Sequence, residues 1–290
     1  MEGADVSGLD STQQDHLGVG PIAVRTDAID VAAFAAALGL RRGLGPVPLT
    51  FPIRWLSLPA IRSTVIRGLG LTGEAIVQQS QTFTYCAALA TDCHYSFEVE
   101  ARRERGSADR TLLRGTVRDS TGAVVVSLDT LLRTIRPGAS RDAPRPLSVP
   151  ESRFPVIEAG PVDLAQTQRY TAASLDDNPL HSDLSTARAA GLDGLIIHGM
   201  LAMGQIEGAL RAWLPGLRVD RIHGNFLQPV PVGSRLLFSG RVVKRTPSAN
   251  SADADAEELI LRVIVCGTAG QAVCVSEAVA RHGHGAPRNG

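Results

Sequence analysis

Aromatic residues are scarce in this 290-residue chain: seven Phe, three Tyr and two Trp make up 4% of it, so a large core must be built mainly from aliphatic side chains. Cysteine is scarcer still. Cys86, Cys93, Cys266 and Cys274 form no CxxC pair and sit in apolar, strand-like sequence. That pattern argues against a disulfide framework and points to buried free thiols in a reducing compartment. An excess of either charge is also missing, since 29 basic residues balance 29 acidic ones. Without a basic stripe, nucleic acid is not expected as a partner. No apolar run approaches the roughly 18 residues of a membrane span. The polar, glycine-rich start lacks a charged-then-apolar signal pattern. The expectation is a soluble, cytoplasmic protein. What the chain does have is length and 44% hydrophobic content, enough for two domains or for one fold built twice.

Residues 1–18 read as a loose leader. Pro21–Arg25 is a short β-rich piece, and Asp30–Gly39 is an alanine-rich helix with Asp30 as its N-cap. A helical pattern over Leu58–Leu69 carries Pro59 in its first turn. The period then changes. Ile76–Tyr85, Cys93–Arg103, Arg110–Arg118 and Ala123–Ile135 are β-branched or alternating runs separated by turn signals, an antiparallel meander. Residues 136–150, rich in proline, glycine and charge at their start, read as a linker.

Beyond the linker the order of elements returns. Phe154–Glu158 is a short strand and Leu164–Ala173 a short helix. A turn over Asp176–Asp183 and a helix from about His198 to Trp213 follow. On that helix, Ala202, Gly204, Gly208 and Ala209 leave room for something to pack closely. Val219–Gln228, Arg235–Lys244, Glu258–Cys266 and Ala272–Ala280 are strand-like. Phe34–Leu40 falls on Tyr170–Asp176, and Phe83–Cys86 on Phe226–Pro229. The economical reading is an internal repeat of ~140 residues, each half a helix against a curved antiparallel sheet. The fold class is α+β, with units at 19–135 and 151–284 and a tail at 285–290. The register sets Leu40 opposite Asp176 and Gly45 opposite His181, so the first half keeps the architecture and lacks the polar pair.

That polar pair is the chemical centre. Asp176 and His181 stand five residues apart with Asn178 and Pro179 between them. Pro179 forbids an uninterrupted helix there, so the segment is a turn able to bring carboxyl and imidazole to one point. Such a pair suits general acid–base catalysis. Other candidates read more simply. Asp177 is a solvated turn residue and Asp183 a helix cap. His94 and His223 lie in strands, and His282 and His284 in a glycine-rich tail without further ligands, so no metal site is expected. Gly68–Gly73 spells a dinucleotide fingerprint in letters. It follows a helix and leads into a strand, the reverse of the required context, and no cofactor is expected.

Ser174-Leu-Asp-Asp-Asn-Pro-Leu-His181, then Gly191, then Ile197-His-Gly-Met200, with the later Phe226-Leu-Gln-Pro-Val-Pro-Val-Gly233, resembles the MaoC-like family. These are (R)-specific enoyl-thioester hydratases and 3-hydroxyacyl-thioester dehydratases, and the similarity is closest to the two-half actinobacterial type. The resemblance implies a double hotdog fold, two antiparallel sheets each wrapping a central helix and joined in one chain, with only the C-terminal half catalytic. It implies reversible syn addition of water to a trans-2-enoyl thioester, with Asp176 and His181 as the acid–base pair. Asn178 would hydrogen-bond in the turn or orient the water, and the Gly199 N–H would hold the thioester oxygen. His198 is assigned to helix-start hydrogen bonding in the substrate site. The substrate would be an acyl-CoA or acyl-carrier-protein thioester, the degenerate half would free volume for its acyl chain, and a homodimer is open. Where the family carries Gly before the catalytic Asp, this chain has Leu175; glycine permits backbone angles that leucine seldom adopts. A hotdog thioesterase and a non-catalytic acyl-thioester-binding subunit are the alternatives.

Overall fold

The computed structural model describes residues 16–40, 47–73, 75–104, 109–135, 152–247 and 257–282. The first half opens with β1 (His16–Arg25), α1 (Ala28–Ala37), a short α2 (Ile53–Leu56) and α3 (Pro59–Gly68). It closes with β2 (Ala75–Tyr85), β3 (His94–Arg103), β4 (Arg110–Arg118) and β5 (Val124–Ile135). The second half begins with β6 (Ile157–Ala159), α4 (Leu164–Ser174), a single 3-10 turn at Pro179–His181 and α5 (Leu184–Ala189). Then come the central helix α6 (Gly199–Trp213), β7 (Leu217–Phe226), β8 (Leu236–Pro247), β9 (Glu257–Cys266) and β10 (Ala272–His282).

Period-two patterning makes the strands. On β3, Tyr95, Phe97, Val99 and Ala101 are buried, while Glu98 and Glu100 between them point away. All strands join one ten-stranded sheet in the order β1-β3-β4-β5-β2-β7-β10-β9-β8-β6, and every pairing is antiparallel. Counted inward from its own edge, each half shows the same order: β1-β3-β4-β5-β2 and β6-β8-β9-β10-β7. The halves meet where β2 pairs β7, from Ser80 opposite Asn225 to Thr84 opposite Arg221. Two copies of one strand order sharing a central seam make a double hotdog.

The small residues of α6 explain how the halves close on each other. A Cβ on Gly204 would lie 2.5 Å from Leu38 Cδ2 and one on Gly208 3.2 Å from Leu40 Cδ2, so the end of α1 packs directly onto the central helix of the other half. Helices α1 and α4, which the repeat sets opposite each other, touch through Phe34 and Tyr170 with ring centroids 5.6 Å apart. In the first half, Phe34, Phe51, Trp55 and Phe97 form a chain of aromatic contacts between 5.3 and 5.9 Å.

Several boundaries differ from the sequence reading. Strand β1 starts at His16, inside the stretch read as a leader, and pairs with β3 from its first residue. The N-cap of α1 is Asp27; Asp30 lies within the first turn, where its carboxylate favours the helix dipole and binds Arg54 at 2.9 Å. His282 ends β10 instead of lying in a tail. Cys266 and Cys274 are buried, and burial pushes the Cys274 thiol up to about 12, but Cys86 is exposed just past the end of β2. The linker at 136–150, the tail, Gly45 and His284 fall outside the described residues. Among the described residues no helix is long and apolar enough to cross a membrane.

Candidate active site

The site is built where α4 ends. Asp163 caps the start of that helix by accepting the Gln166 N–H at 2.7 Å. Its far end turns at Leu175, which takes the left-handed conformation at φ 59° and ψ 15°. In the first half Gly39, opposite Leu175 in the repeat, has φ 73°. Leu175 therefore adopts the angle a glycine would supply, at a typical cost of about 1–2 kcal/mol. Neighbouring bonds hold it there. Arg54 Nη1 donates to the Ala173 carbonyl at 2.5 Å, and Ser174 Oγ donates to the Tyr170 carbonyl at 2.7 Å. The chain reverses, and Asp176 starts the turn.

Within the turn the polar groups have distinct duties. Asp176 Oδ1 accepts the Asn178 N–H at 3.3 Å. Asn178 Oδ1 accepts the Leu180 N–H at 3.2 Å, capping the 3-10 turn that Pro179 begins. Its Nδ2 donates to the Ile76 carbonyl at 2.8 Å, on β2 of the other half. Both ends of the Asn178 amide are thus engaged by protein. Asp177 is exposed and pairs with Arg62 of α3. Asp183 caps α5, accepting the N–H and hydroxyl of Ser185 at 2.8 and 2.7 Å. Those hydroxyl and backbone bonds, with Thr186's, lower its carboxyl to about 2.

His181 and His198 face each other as stacked rings, centroids 3.6 Å apart and planes 29° apart. His181 Nδ1 lies 2.9 Å from the Ile196 carbonyl, which can only accept, so the proton is assigned to Nδ1 and Nε2 is left as a lone pair. The segment bearing that carbonyl is pinned, because Ile197 donates to the Val230 carbonyl at 2.8 Å. His198 Nε2 lies 3.1 Å from the Asp176 backbone carbonyl, assigning that ring the opposite tautomer. Tyr170 meets His198 edge-on at 5.0 Å. Burial lowers the pKa of His181, partly offset by Asp176 and the Ile196 carbonyl. Burial and then the adjacent His181 take His198 down to about 4. Both imidazoles are therefore neutral near pH 7.

His198 is also the N-cap of α6, which places the start of that helix beside the pair. First-turn N–H groups have no acceptor within their helix and form the positive end of its dipole. Gly199, the first residue, is packed so closely that an added Cβ would lie 2.9 Å from Phe226 Cδ1. The structure thus brings Asp176, His181, His198 and Gly199 together, with Asn178 behind them as a tether to β2. Sequence reasoning had no signal for the Ile196 and Ile76 carbonyls, because backbone acceptors carry no residue signature. Arg54 was likewise invisible, lying more than a hundred residues from the helix end it caps.

Donor atoms of Asp176, His181 and His198 lie within 4.8 Å of one another, a spacing that invites comparison with a metal site. The ring geometry argues otherwise. Ligands to one ion must aim their in-plane lone pairs at a common point about 2 Å away, whereas stacked rings 29° apart send theirs along nearly parallel planes. A carboxylate beside a neutral imidazole with one free nitrogen is instead suited to moving protons.

Comparison with known proteins bears on the family and the fold. The family model described as MaoC like domain matches residues 137–260, spanning the turn, α6, β7 and β8. This part of the chain is a MaoC-like domain. It is 26% identical over 247 residues to 3-hydroxyacyl-thioester dehydratase X of Mycobacterium tuberculosis, covering 77% of this chain and 85% of that protein. A crystal structure of HtdX from the same organism superposes with a TM-score of 0.66 at 20% identity, over 91% of this chain and 99% of that one. Another M. tuberculosis protein, described as having a double hotdog fold, matches with a TM-score of 0.61 at 16% identity over 92% and 96% of the two chains. The MaoC-like match lies in the half that holds Asp176 and His181; the structural likenesses extend across both.

Proposed function

We propose that this protein is a hydro-lyase that dehydrates (3R)-hydroxyacyl thioesters to trans-2-enoyl thioesters in fatty-acid or related lipid metabolism, and hydrates them in reverse. The observation carrying this reading is the meeting of Asp176 with a neutral His181 whose Nε2 is unengaged, at the N-terminus of α6. Dehydration requires that the C2 proton leave to a base, that the departing 3-hydroxyl receive a proton, and that the thioester oxygen be held as it gains enolate charge. Asp176 and His181 supply the first two functions from one side, which makes the elimination syn. The Gly199 N–H supplies the third, as the first donor of a helix end that favours negative charge. In hydration the pair holds the water, and one member returns a proton to C2. The printed name of the M. tuberculosis relative, a 3-hydroxyacyl-thioester dehydratase, supports the substrate class.

The carrier is coenzyme A or acyl carrier protein, with no cofactor. The first half, which has Leu40 where the second has Asp176, gives its space to the acyl chain. Loss of the enoyl-thioester absorbance on crotonyl-CoA tests the activity directly. Hydration without free thiol supports the assignment; thiol release would make the protein a thioesterase, and silence would leave a binding subunit. Asp176→Asn and His181→Gln are each expected to lower the rate by about 10²–10⁴-fold, the typical worth of acid–base assistance. Substantial turnover by Asp176→Asn, in a variant that melts like the parent, would sink the assignment.

A further inference from the structure

Among the described residues, two buried polar atoms beside the acid–base pair have no partner: Tyr170 Oη and His198 Nδ1. The chemistry above uses neither. His198 is 1% exposed, deeper than His181. Its Nε2–H is committed to the Asp176 carbonyl at 3.1 Å, with Thr171 Oγ1 at 3.4 Å. That hydroxyl donates its own proton to the Thr167 carbonyl at 3.2 Å. The other nitrogen is enclosed. A proton carrier needs a nitrogen that exchanges with substrate or water, and His198 offers none. What the ring does offer is a flat face 3.6 Å from His181 and a donor aimed at the backbone of Asp176.

We propose that His198 is a positioning residue, clamping the Asp176 backbone through Nε2–H while supporting the His181 imidazole on a ring that stays uncharged. This rests on the reading of Asp176 and His181 as the reacting pair. The physical need is specific. When His181 takes a proton it becomes a cation, and a second cation at this distance would oppose that step. Three titratable groups surround His198. Asp176 favours its cationic form, His181 opposes it, and Tyr170 packs on its edge as a phenol whose ionisation is pushed up by burial. Burial is the largest influence, so His198 remains neutral over the range in which His181 works. Phenylalanine would keep the face and lose the donor. Glutamine would keep a donor and lose the face, and arginine would offer both at the cost of a charge. Imidazole supplies all three properties.

The experiment compares the full chain with His198→Phe, His198→Gln and His198→Ala. Each of the first two removes one function, and kcat for enoyl-thioester hydration should fall about tenfold, the rate equivalent of one ordinary interaction. His198→Ala removes both and should fall about 100-fold, with KM within about twofold throughout. All three should keep both limbs of the pH profile. Loss of a limb in His198→Gln would make His198 a proton carrier, and equal losses in all three variants would show that face and donor are not separate functions; either overturns the proposal. Nitrogen NMR of the unmodified protein at pH 7 gives an arm independent of activity and of variant folding. Neutral His198 protonated at Nε2, beside His181 protonated at Nδ1, supports the clamp. An imidazolium, or an Nδ1–H form of His198, overturns it. Wild-type protein that fails to hydrate enoyl thioesters while showing these tautomers would refute the functional reading and leave the clamp standing.

Discussion

Asn178 offers a clean test of whether the turn is held or merely shaped. Replacing it with Asp keeps the oxygen that accepts the Leu180 N–H at 3.2 Å and removes the Nδ2–H that donates to Ile76 at 2.8 Å. A carboxylate oxygen then faces a carbonyl oxygen, and the Ile76 carbonyl loses its donor. Stranding a partner in this way typically costs about 1–3 kcal/mol. Because Asn178 and Ile76 are both half-buried, water replaces part of the loss and about 2 kcal/mol is the working value. Asn178→Ala adds the loss of a capping oxygen, about 1 kcal/mol more. In urea, with m near 3 kcal/mol/M, the midpoint for Asn178→Asp should fall by about 0.7 M at unchanged m. Hydration rate should fall in the same variant, because Asp176 is joined to Asn178 through a 3.3 Å bond and moves with the turn. The reasoning is refuted if Asn178→Asp unfolds at the parental midpoint while losing activity about 100-fold, the size expected of a catalytic contact. Asn178 would then act on water or substrate, and the tether to β2 would be incidental.

Other consequences are as direct. Gly199→Ala forces a Cβ to within 2.9 Å of Phe226, so stability should drop by about 1–3 kcal/mol, and Phe226→Leu should restore part of it in a denaturation series. His181 and His198 have lowered pKa values in the folded protein, so stability should be full above the ordinary histidine value of 6.5 and lost as pH falls from there towards about 4. The loss should be on the order of 3 kcal/mol for His198; thermal melts at pH 7 and pH 4.5 check it, and His198→Phe should shrink the difference. In native protein Cys86 should react with a thiol reagent, whereas Cys266 and Cys274 should react only on unfolding.

Much of the fold is legible because its signals are local. Alternation in Tyr95–Ala101 and in the strands after Trp213 marks a half-buried sheet whatever surrounds it. The candidate site is legible in part for a similar reason: Pro179 and Asn178 encode the tight turn that carries Asp176 and His181. Edges were less clear. The leader reading failed at His16, where pairing with β3 recruits residues whose own pattern is weak. Asp30 reads as the cap of α1, yet the helix begins at Ala28, which leaves Asp27 at the N-cap and Asp30 in the first turn.

The sequence by itself determined a repeated α+β chain whose second half carries a carboxyl and an imidazole across one tight turn. Only the tertiary structure decided how those groups are poised. Leu175 reaches a left-handed angle that its own side chain disfavours, because Arg54 and Ser174 bond the helix end around it. His181 presents Nε2 because the Ile196 carbonyl takes its other nitrogen, and His198 is neutral because it is buried against it. These are contacts with backbone atoms and between residues far apart in the chain. No residue type announces such contacts, and the α4 turn closes on β2 and α6 only when both halves are folded.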